Sequence, residues 1–355
     1  MEKLNSTIHS ALSTGLVRKL TKNCINTIAD FLQEDVEKIS KITKLDVACI
    51  LEIRDIIFKK YSAPSIAGTT LRNKYLTEKR YLETGIKRLD TILNGGIPIG
   101  FITEVCGLAG SGKSQLCMQL AINSAKPSNS VIYIDTKGDF SAVRIQKILE
   151  AHGLSPKEMA IIMLNINIVQ IFSMNDLISL LESIKNKKIV FDCLSLVILD
   201  SLPCLMFQHF GDNNKIGLKF LNMFVNLARC ISNEFRTCFI CVNIETRWVD
   251  QEQVPDLDDE DDNFGEPAYF EIKNRCLGKY WRHIPVQVLS LQKVFESDTK
   301  NCININVIAE NYNNPCSKLQ CPISINDSGV VDKLKMEQNR DTTLKIMCDS
   351  SLDPE

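Results

Sequence analysis

The sequence predicts an α/β fold: a mostly parallel β-sheet with helices on both faces, preceded by a small all-α domain. From residue 81 onwards, apolar strand-like runs alternate with helical patterns, and this alternation is typical of parallel sheets. Before that point apolar residues recur only at helical spacing, which predicts a bundle of short helices. A hydrophobic content of 45% and a charged content of 24% are ordinary for a globular protein.

Pattern changes divide the 355-residue chain into four parts. Residues 1–60 are predicted to form the helical N-terminal domain, and residues 61–80, where the period lapses, a linker. Residues 81–332 carry the β/α alternation, and the polar residues 333–355 are predicted to be a disordered tail. Within the core, six of the seven residues of 256–262 are acidic, which predicts a solvated loop.

The elements of residues 81–332 are predicted from apolar runs and capping residues. Ser141 is expected to cap a helix that ends near Ala151. After residue 286 the alternation stops, and further strands are expected to extend the sheet. The predicted strands are residues 101–106, 131–135, 161–166, 194–200, 237–243, 286–294, 302–310 and 321–325, and the other predicted helices are residues 115–122, 176–185 and 215–234.

Charge and cysteine usage exclude several classes of protein. A formal net charge of −2 gives no global electrostatic case for nucleic acid, so such binding is expected to be local or shared with partners. The N-terminus lacks a signal-peptide pattern, and no apolar run is long enough to span a membrane. Most of the 14 cysteines lie in apolar runs and are expected to be reduced and intracellular. Cys238 and Cys241 have CxxC spacing, but without a second pair zinc is not expected there.

The strongest motif is Gly107-Leu108-Ala109-Gly110-Ser111-Gly112-Lys113-Ser114. It follows a predicted strand and precedes a predicted helix, and this context distinguishes a phosphate-binding P-loop from a chance glycine-rich turn. Glycines let the backbone curl so that its N–H groups converge on phosphate. Lys113 is expected to reach the β- and γ-phosphates of ATP, and Ser114 to ligate Mg²⁺.

A P-loop needs a carboxylate on a neighbouring strand to hold the metal. Asp200 ends the apolar run that reaches Leu199 and is the preferred candidate. Asp192 is the alternative, although the apolar sequence continues beyond it. We therefore expect Ser114 and Asp200 to be the metal ligands.

Several segments together resemble the RecA-like strand-exchange recombinases of eukaryotes and archaea, the Rad51 family. The resemblance extends from the N-terminal helices to about Asp332, and it implies a RecA-type P-loop ATPase core. The segments that carry it are Thr84-Gly85-Ile86, Leu89-Asp90, Gly95-Gly96-Ile97, Ile102-Thr103-Glu104-Val105, Gln115-Leu116-Cys117, Tyr133-Ile134-Asp135-Thr136, Asp200-Ser201 and Leu277-Gly278 with Trp281.

Within this family the chain is most similar to the D-type paralog, with a C-type paralog as the alternative. The resemblance implies a nuclear protein of homologous-recombination repair that binds ATP and Mg²⁺. It also implies assembly with other paralogs through ATP-bridged interfaces, in support of the strand-exchange filament on single-stranded DNA. The helical domain and linker are expected to dock onto neighbouring subunits.

Two departures from the family bear on hydrolysis. Active members carry a glutamate after the Asp-Thr pair that polarises the attacking water, and here that position is Lys137. Asp139 is a candidate substitute for this base. Filament formers place a glutamine after Asn243 that senses the γ-phosphate, and here it is Ile244. We expect ATP binding with weak or no hydrolysis; the alternative is an active DNA-dependent ATPase that itself performs strand exchange.

The remaining candidate residues are cationic or aromatic. Arg144 matches a family arginine near the adenine base and is expected to stack on it, unless it is a plain surface residue. The candidate DNA-binding residues are Arg247, Lys273, Arg275 and Lys279, with Trp248 and Tyr280 available for stacking. Trp281 is expected to pack in the core instead. Lys137 is expected to be an exposed lysine without a role, with a phosphate or a partner's carboxylate as its alternative contact.

Overall fold

The chain forms two compact units, residues 1–78 and 79–355, each with a hydrophobic core of its own. The computed structural model describes residues 3–62, 65–78, 80–125, 129–191, 193–209, 211, 215–249, 271–294, 302–311 and 314–332.

The first unit is helical, in agreement with the apolar spacing of its sequence. Its helices are α1 (Thr14–Lys22), α2 (Ile28–Gln33), α3 (Val36–Thr43), α4 (Val47–Tyr61) and α5 (Gly68–Thr77). The hydroxyl of Ser13 caps α1, and Thr27 with Asp30 forms a capping box on α2, which satisfies backbone donors that a helix start leaves free. Buried leucines, isoleucines and Phe31 make up the core of this unit.

Part of the predicted linker is helical, because α5 lies within residues 61–80. No apolar period predicts a helix in this segment. The predicted disordered tail, residues 333–355, lies outside the described residues.

The second unit is built on a nine-stranded sheet, and four further strands among its described residues lie outside that sheet. Its thirteen strands, counted along the described residues, are β1 (Tyr81–Leu82), β2 (Ile97–Pro98), β3 (Ile102–Gly107), β4 (Ser130–Asp135), β5 (Ile166–Gln170), β6 (Leu194–Asp200), β7 (Cys238–Val242), β8 (Glu245–Val249), β9 (Glu271–Arg275), β10 (Gln287–Lys293), β11 (Ile303–Asn311), β12 (Asn314–Asn326) and β13 (Gly329–Asp332).

The strand order of the large sheet is β13-β12-β11-β10-β3-β7-β6-β4-β5. In this order, the six strands β10, β3, β7, β6, β4 and β5 are parallel to one another. The strands β10, β11, β12 and β13 are joined by antiparallel pairs. This confirms both the parallel sheet and its extension by the later strands. The carboxyl ends of β3, β7, β6 and β4 therefore lie at one edge, where ligands of open α/β sheets bind.

Helices cover both faces of this sheet. They are α6 (Lys87–Ile92), α7 (Lys113–Ser124), α8 (Ala142–Ala151), α9 (Pro156–Asn165), α10 (Met174–Lys185), α11 (Leu202–Met206), α12 (Lys215–Glu234) and α13 (Gly278–Trp281). Two apolar clusters result, one on each face. Cys238 packs in one cluster and Cys241 in the other, because residues three apart in a strand point to opposite faces. The CxxC pair therefore cannot hold one ion jointly.

One predicted strand was wrong. Residues 161–166 were expected to be a strand, but the structure has helix α9 there and the strand β5 follows it. Ser155 caps α9 through a capping box with Glu158, and Pro156 occupies its first turn. These start signals are readable in the sequence, whereas the short apolar run does not distinguish helix from strand.

None of the described helices is long and apolar enough to cross a membrane.

Candidate functional site

The P-loop joins the end of β3 to the start of α7. Gly107 is the last residue of β3, and Gly112 is the N-cap residue of α7. Both adopt a positive φ, +150° and +85°. A Cβ on Gly107 would lie 2.5 Å from the Leu291 carbonyl oxygen, so a side chain cannot fit there. The α7 N-terminus provides free backbone N–H groups and a positive dipole end, which together suit a phosphate.

The Lys113 ammonium is folded back onto the P-loop itself. Its Nζ donates hydrogen bonds to the carbonyl oxygens of Gly107 at 2.9 Å and Leu108 at 2.7 Å. Burial lowers the pKa of Lys113, and the neighbouring positive charge of Lys137 lowers it further. These contacts hold a cation inside the loop that the sequence assigns to phosphate.

Asp200 lies at the carboxyl end of β6 and is buried. Its Oδ2 accepts hydrogen bonds from the Ser114 hydroxyl at 2.6 Å and from the Tyr133 hydroxyl at 2.9 Å. Burial, and next the charge of Asp200, raise the pKa of Tyr133 well above its usual value, so Tyr133 stays protonated and able to donate. The structure thus brings Ser114 and Asp200 together. Asp192 lies outside the described residues.

Ser114 and Asp200 supply oxygen atoms, which are the ligands that Mg²⁺ takes. Asp200 Oδ1 is buried and accepts no hydrogen bond from any described residue. However, Lys137 Nζ lies 3.6 Å from this oxygen, so an ammonium already stands beside the carboxylate. The residues present therefore do not match a site that depends on the metal.

The expectation that Lys137 is an exposed lysine without a role is corrected by this ion pair. Its side chain is only 27% exposed. Sequence reasoning missed the cause, which is the loop after β4. Asp135 accepts hydrogen bonds from the backbone N–H groups of Lys137 and Gly138 on Oδ1 and of Phe140 on Oδ2, and this fixes the loop that carries the lysine.

A cavity of about 540 Å³ opens at this edge of the sheet. On one side it is lined by P-loop residues, among them Lys113 and Ser114, and by Gln115 of α7. Lys137, Asp139 and Ile244 line it from the neighbouring strand ends. Both residues at which the sequence departs from the active family, Lys137 and Ile244, therefore face the same space as Lys113. Asp139, the candidate substitute base, also faces it.

Two isoleucines of the strand extension complete the cavity wall and were not foreseen from the sequence. Ile303 on β11 and Ile325 on β12 pair in register and both line the cavity. Their apolar side chains suit the hydrophobic part of a ligand. Sequence alone could not place them, because these strands are about two hundred residues away from the P-loop in the chain.

Arg144 does not belong to the cavity wall just described. Its Nε donates to Gln115 Oε1 at 2.9 Å, and its terminal nitrogens donate to the carbonyl oxygens of Asn326 and Asp327. The guanidinium therefore ties α8 to α7 and to the turn between β12 and β13. Stacking of Arg144 on an adenine stays a prediction.

The candidate DNA-binding residues separate into two groups. Arg247 on β8 and Lys273 on β9 are direct partners in the antiparallel register, and Lys279 is exposed on α13. Arg275 differs from the expectation, because its Nη1 donates to the buried carboxylate of Glu104 at 2.9 Å. It is the counter-ion of a core acid rather than a surface group. The acidic run 256–262 lies outside the described residues.

Glu104 is the centre of a buried polar cluster beneath the site. Asn243 Nδ2 donates to Glu104 Oε1 at 2.7 Å and to the Cys276 carbonyl oxygen at 3.0 Å. This cluster joins the middle of β3 to the end of β7 and to β9. Nearby, Trp281 is 1% exposed and stacks on Phe224, which confirms its predicted place in the core.

Comparison with known proteins agrees with this geometry. The Rad51 family model matches residues 77–260, more than half of the chain. The chain belongs to the Rad51 family. The DNA repair protein RAD51 homolog 4 of Bos taurus is 24% identical over 303 residues, which cover 84% of this chain and 87% of that protein. The human DNA repair protein RAD51 homolog 2 is 26% identical over 249 residues, 65% of this chain and 64% of that protein.

Among solved structures, the crystal structure of the RadB recombinase aligns with a TM-score of 0.54 and 21% identity. The alignment covers 71% of this chain and 99% of the RadB chain, which confirms the RecA-type fold. The Rad51-family relatives are proteins of DNA repair and recombination. The predicted membership of this family, as a eukaryotic paralog, is thereby confirmed. Recombinases of this kind generally bind ATP with Mg²⁺.

Proposed function

We propose that this chain is an ATP-binding subunit of a hetero-oligomer of recombinase paralogs in homologous-recombination repair. ATP binds at the P-loop and joins the chain to neighbouring paralogs, and the assembly supports the strand-exchange filament on single-stranded DNA. The chain itself hydrolyses ATP weakly or not at all. As for other DNA repair proteins, its place of action is the nucleus.

The observation that carries this proposal is the convergence of Lys113, Ser114 and Asp200 on one cavity edge. Lys113 lies within the P-loop, and the Ser114 hydroxyl is hydrogen-bonded to Asp200 at 2.6 Å. A buried cation, an oriented hydroxyl and a helix N-terminus are the parts that hold a nucleoside triphosphate. The position that Mg²⁺ would be expected to take beside Ser114 and Asp200 is next to the Lys137 ammonium, which lies 3.6 Å from Asp200 Oδ1.

Weak hydrolysis is supported by two side chains that line the cavity. Lys137 cannot take a proton from water while it is itself protonated, and losing a general base typically lowers a rate by ~10²–10⁴. Ile244 has no hydrogen-bonding group with which to sense a γ-phosphate. Both positions therefore favour ATP as a ligand that bridges subunits over ATP as a substrate that is hydrolysed.

The second candidate function is an active DNA-dependent ATPase that itself performs strand exchange. The observation in its favour is that the Asp139 carboxylate also belongs to the cavity wall. In that case Asp139 would act as the base, and DNA would stimulate turnover. Arg247, Lys273 and Lys279 remain the proposed DNA contacts for either function.

ATP binding and hydrolysis by the purified chain, with and without single-stranded DNA, separate the two functions. Tight binding with negligible stimulated turnover supports the assembly subunit, and brisk stimulated turnover supports the ATPase. Lys113→Ala should abolish ATP binding and reduce co-purification with partner paralogs, whereas Lys113→Arg, which retains the charge, should preserve more of both. Unchanged partner binding by Lys113→Ala would contradict ATP as the bridging ligand.

A further inference from the structure

The ion pair between Lys137 and Asp200 occupies the position at which a P-loop protein holds its metal. Asp200 is fixed on one side, since its Oδ2 accepts two hydrogen bonds from Ser114 and Tyr133. Its Oδ1 is buried and receives no hydrogen bond from the described residues. A buried carboxylate oxygen needs compensation for its lost hydration, and the charge that stands there is the Lys137 ammonium at 3.6 Å.

The ammonium is placed by the backbone rather than by chance. Four consecutive N–H groups, from Lys137 to Phe140, donate to the Asp135 carboxylate. The preceding residue, Thr136, exchanges two hydrogen bonds with the Ser201 backbone, at 2.7 and 2.9 Å. These bonds tie the loop after β4 to the end of β6, so the lysine stem starts from a fixed point beside Asp200.

Two lysine ammoniums consequently share one cavity. Lys113 and Lys137 both line it, so both ammoniums face the space next to the P-loop. A bound triphosphate brings several negative charges into this space, and the two ammoniums can neutralise part of that charge through charge-assisted hydrogen bonds. A divalent cation on Asp200 would meet repulsion from Lys137 at close range.

We propose that Lys137 supplies the positive charge that a metal ion supplies in other P-loop sites, so that this site binds ATP without a divalent cation. The inference rests on the proposed ATP binding and specifies its cation requirement. Lys137 acts as a nucleotide-binding residue that bridges Asp200 and the phosphates, while Lys113 serves the phosphates from the P-loop side.

The test is the affinity of the full-length chain for a fluorescent ATP analogue, measured by anisotropy in excess Mg²⁺ and in excess EDTA. Lys137→Gln removes the charge and keeps most of the length, and Lys137→Arg keeps the charge. Lys147→Gln, at an exposed position on α8, is the control for loss of one lysine. Circular dichroism establishes that each variant is folded.

We expect the dissociation constant of the unaltered chain, of Lys137→Arg and of Lys147→Gln to rise less than about 3-fold in EDTA. In EDTA, the affinity of Lys137→Gln for the ATP analogue should fall by about 10- to 100-fold, as expected for the loss of a charge-assisted contact. Its affinity should recover when Mg²⁺ is added. Equal dependence on Mg²⁺ in the unaltered chain and Lys137→Gln would overturn the inference and leave ATP binding intact. Failure of the unaltered chain to bind in either condition would overturn the proposed function as well.

Direct titration with Mn²⁺, followed by electron paramagnetic resonance in the presence of the nucleotide, provides a second readout. The unaltered chain should bind Mn²⁺ at least about tenfold more weakly than Lys137→Gln, because the ammonium repels the dication. Equal Mn²⁺ affinities would show that Lys137 does not compete with the metal, and would count against the inference.

Discussion

Replacing Arg275 with alanine tests whether this residue serves the core or the DNA. Its guanidinium lies 2.9 Å from Glu104 Oε2, and the Glu104 side chain is fully buried. The variant Arg275→Ala removes the counter-ion and leaves the Glu104 carboxylate with neutral side-chain partners such as Asn243. Loss of stability is therefore the expected result, whatever happens to DNA binding.

The size of the loss follows from the geometry. Two unit charges 2.9 Å apart attract by about 6 kcal/mol at an effective dielectric constant of ~20. Part of this is screened, because the Arg275 side chain is 27% exposed. Breaking a buried pair by removing one partner costs about 3–5 kcal/mol, which corresponds to a fall in Tm on the order of 10 °C for a unit of this size.

The loss of stability in Arg275→Ala should depend on pH. Burial raises the pKa of Glu104 above its usual 4.5, and Arg275 opposes that rise. Without Arg275 the native pKa is higher still, so the carboxyl favours folding at low pH and loses this contribution as the pH rises through its native pKa. The Tm deficit of Arg275→Ala should therefore be greatest at neutral pH and shrink towards pH ~5.

Thermal unfolding followed by circular dichroism measures these quantities. The double variant Glu104→Gln with Arg275→Ala removes both charges and should recover most of the lost Tm, because a neutral amide costs far less to bury. Lys279→Ala, at an exposed neighbouring position, should leave the Tm nearly unchanged. A normal Tm for Arg275→Ala, together with weakened binding to single-stranded DNA, would refute the core ion pair.

Three further predictions concern the nucleotide site and the thiols. Lys137→Glu should raise ATP turnover, by up to about 10²-fold if the missing base is the main defect; no gain in a phosphate-release assay would show that another part of the catalytic machinery is lacking. Gly112→Ala should weaken ATP binding and cost about 1–2 kcal/mol, because φ is +85° and the added Cβ would lie 2.5 Å from the Ile305 side chain; an unchanged Tm and ATP affinity would contradict this. Burial raises the pKa of Cys241 well above its usual value, so iodoacetamide at neutral pH should leave Cys241 unlabelled until the chain is unfolded. The exposed Cys24 should be labelled in the folded chain, and mass spectrometry of tryptic peptides measures both.

Elements with long periodic patterns were predictable from the sequence, and those with short ambiguous patterns were not. The helix at residues 215–234 is α12, and the run ending at Asp200 is β6. The P-loop was recognisable because its glycines, lysine and serine are contiguous and lie between a strand and a helix. The run at residues 161–166 was misassigned, because a few apolar residues satisfy either period. Helix α5 gave no signal, because little of its surface is buried and its sequence carries no apolar stripe.

The candidate site shows the same division. The proximity of Ser114 and Asp200 follows from a motif and a strand end and is seen in the structure, whereas their role as metal ligands stays a prediction. The contacts of Lys137 and Arg275 were not predictable from the sequence, because each depends on one partner far away in the chain. The Lys137 ammonium, after the end of β4, pairs with Asp200 at the end of β6. The Arg275 guanidinium on β9 pairs with the buried Glu104 on β3.

The sequence by itself determined the family, the α/β class, the P-loop and the replacement of the expected glutamate by Lys137. These features are local or contiguous, so residue type and spacing suffice to define them. Only the tertiary structure decided that Lys137 pairs with Asp200, that Arg275 neutralises a buried acid, and that two isoleucines from late strands line the cavity. Such contacts arise from strand order, which brings distant residues together and which no local pattern encodes.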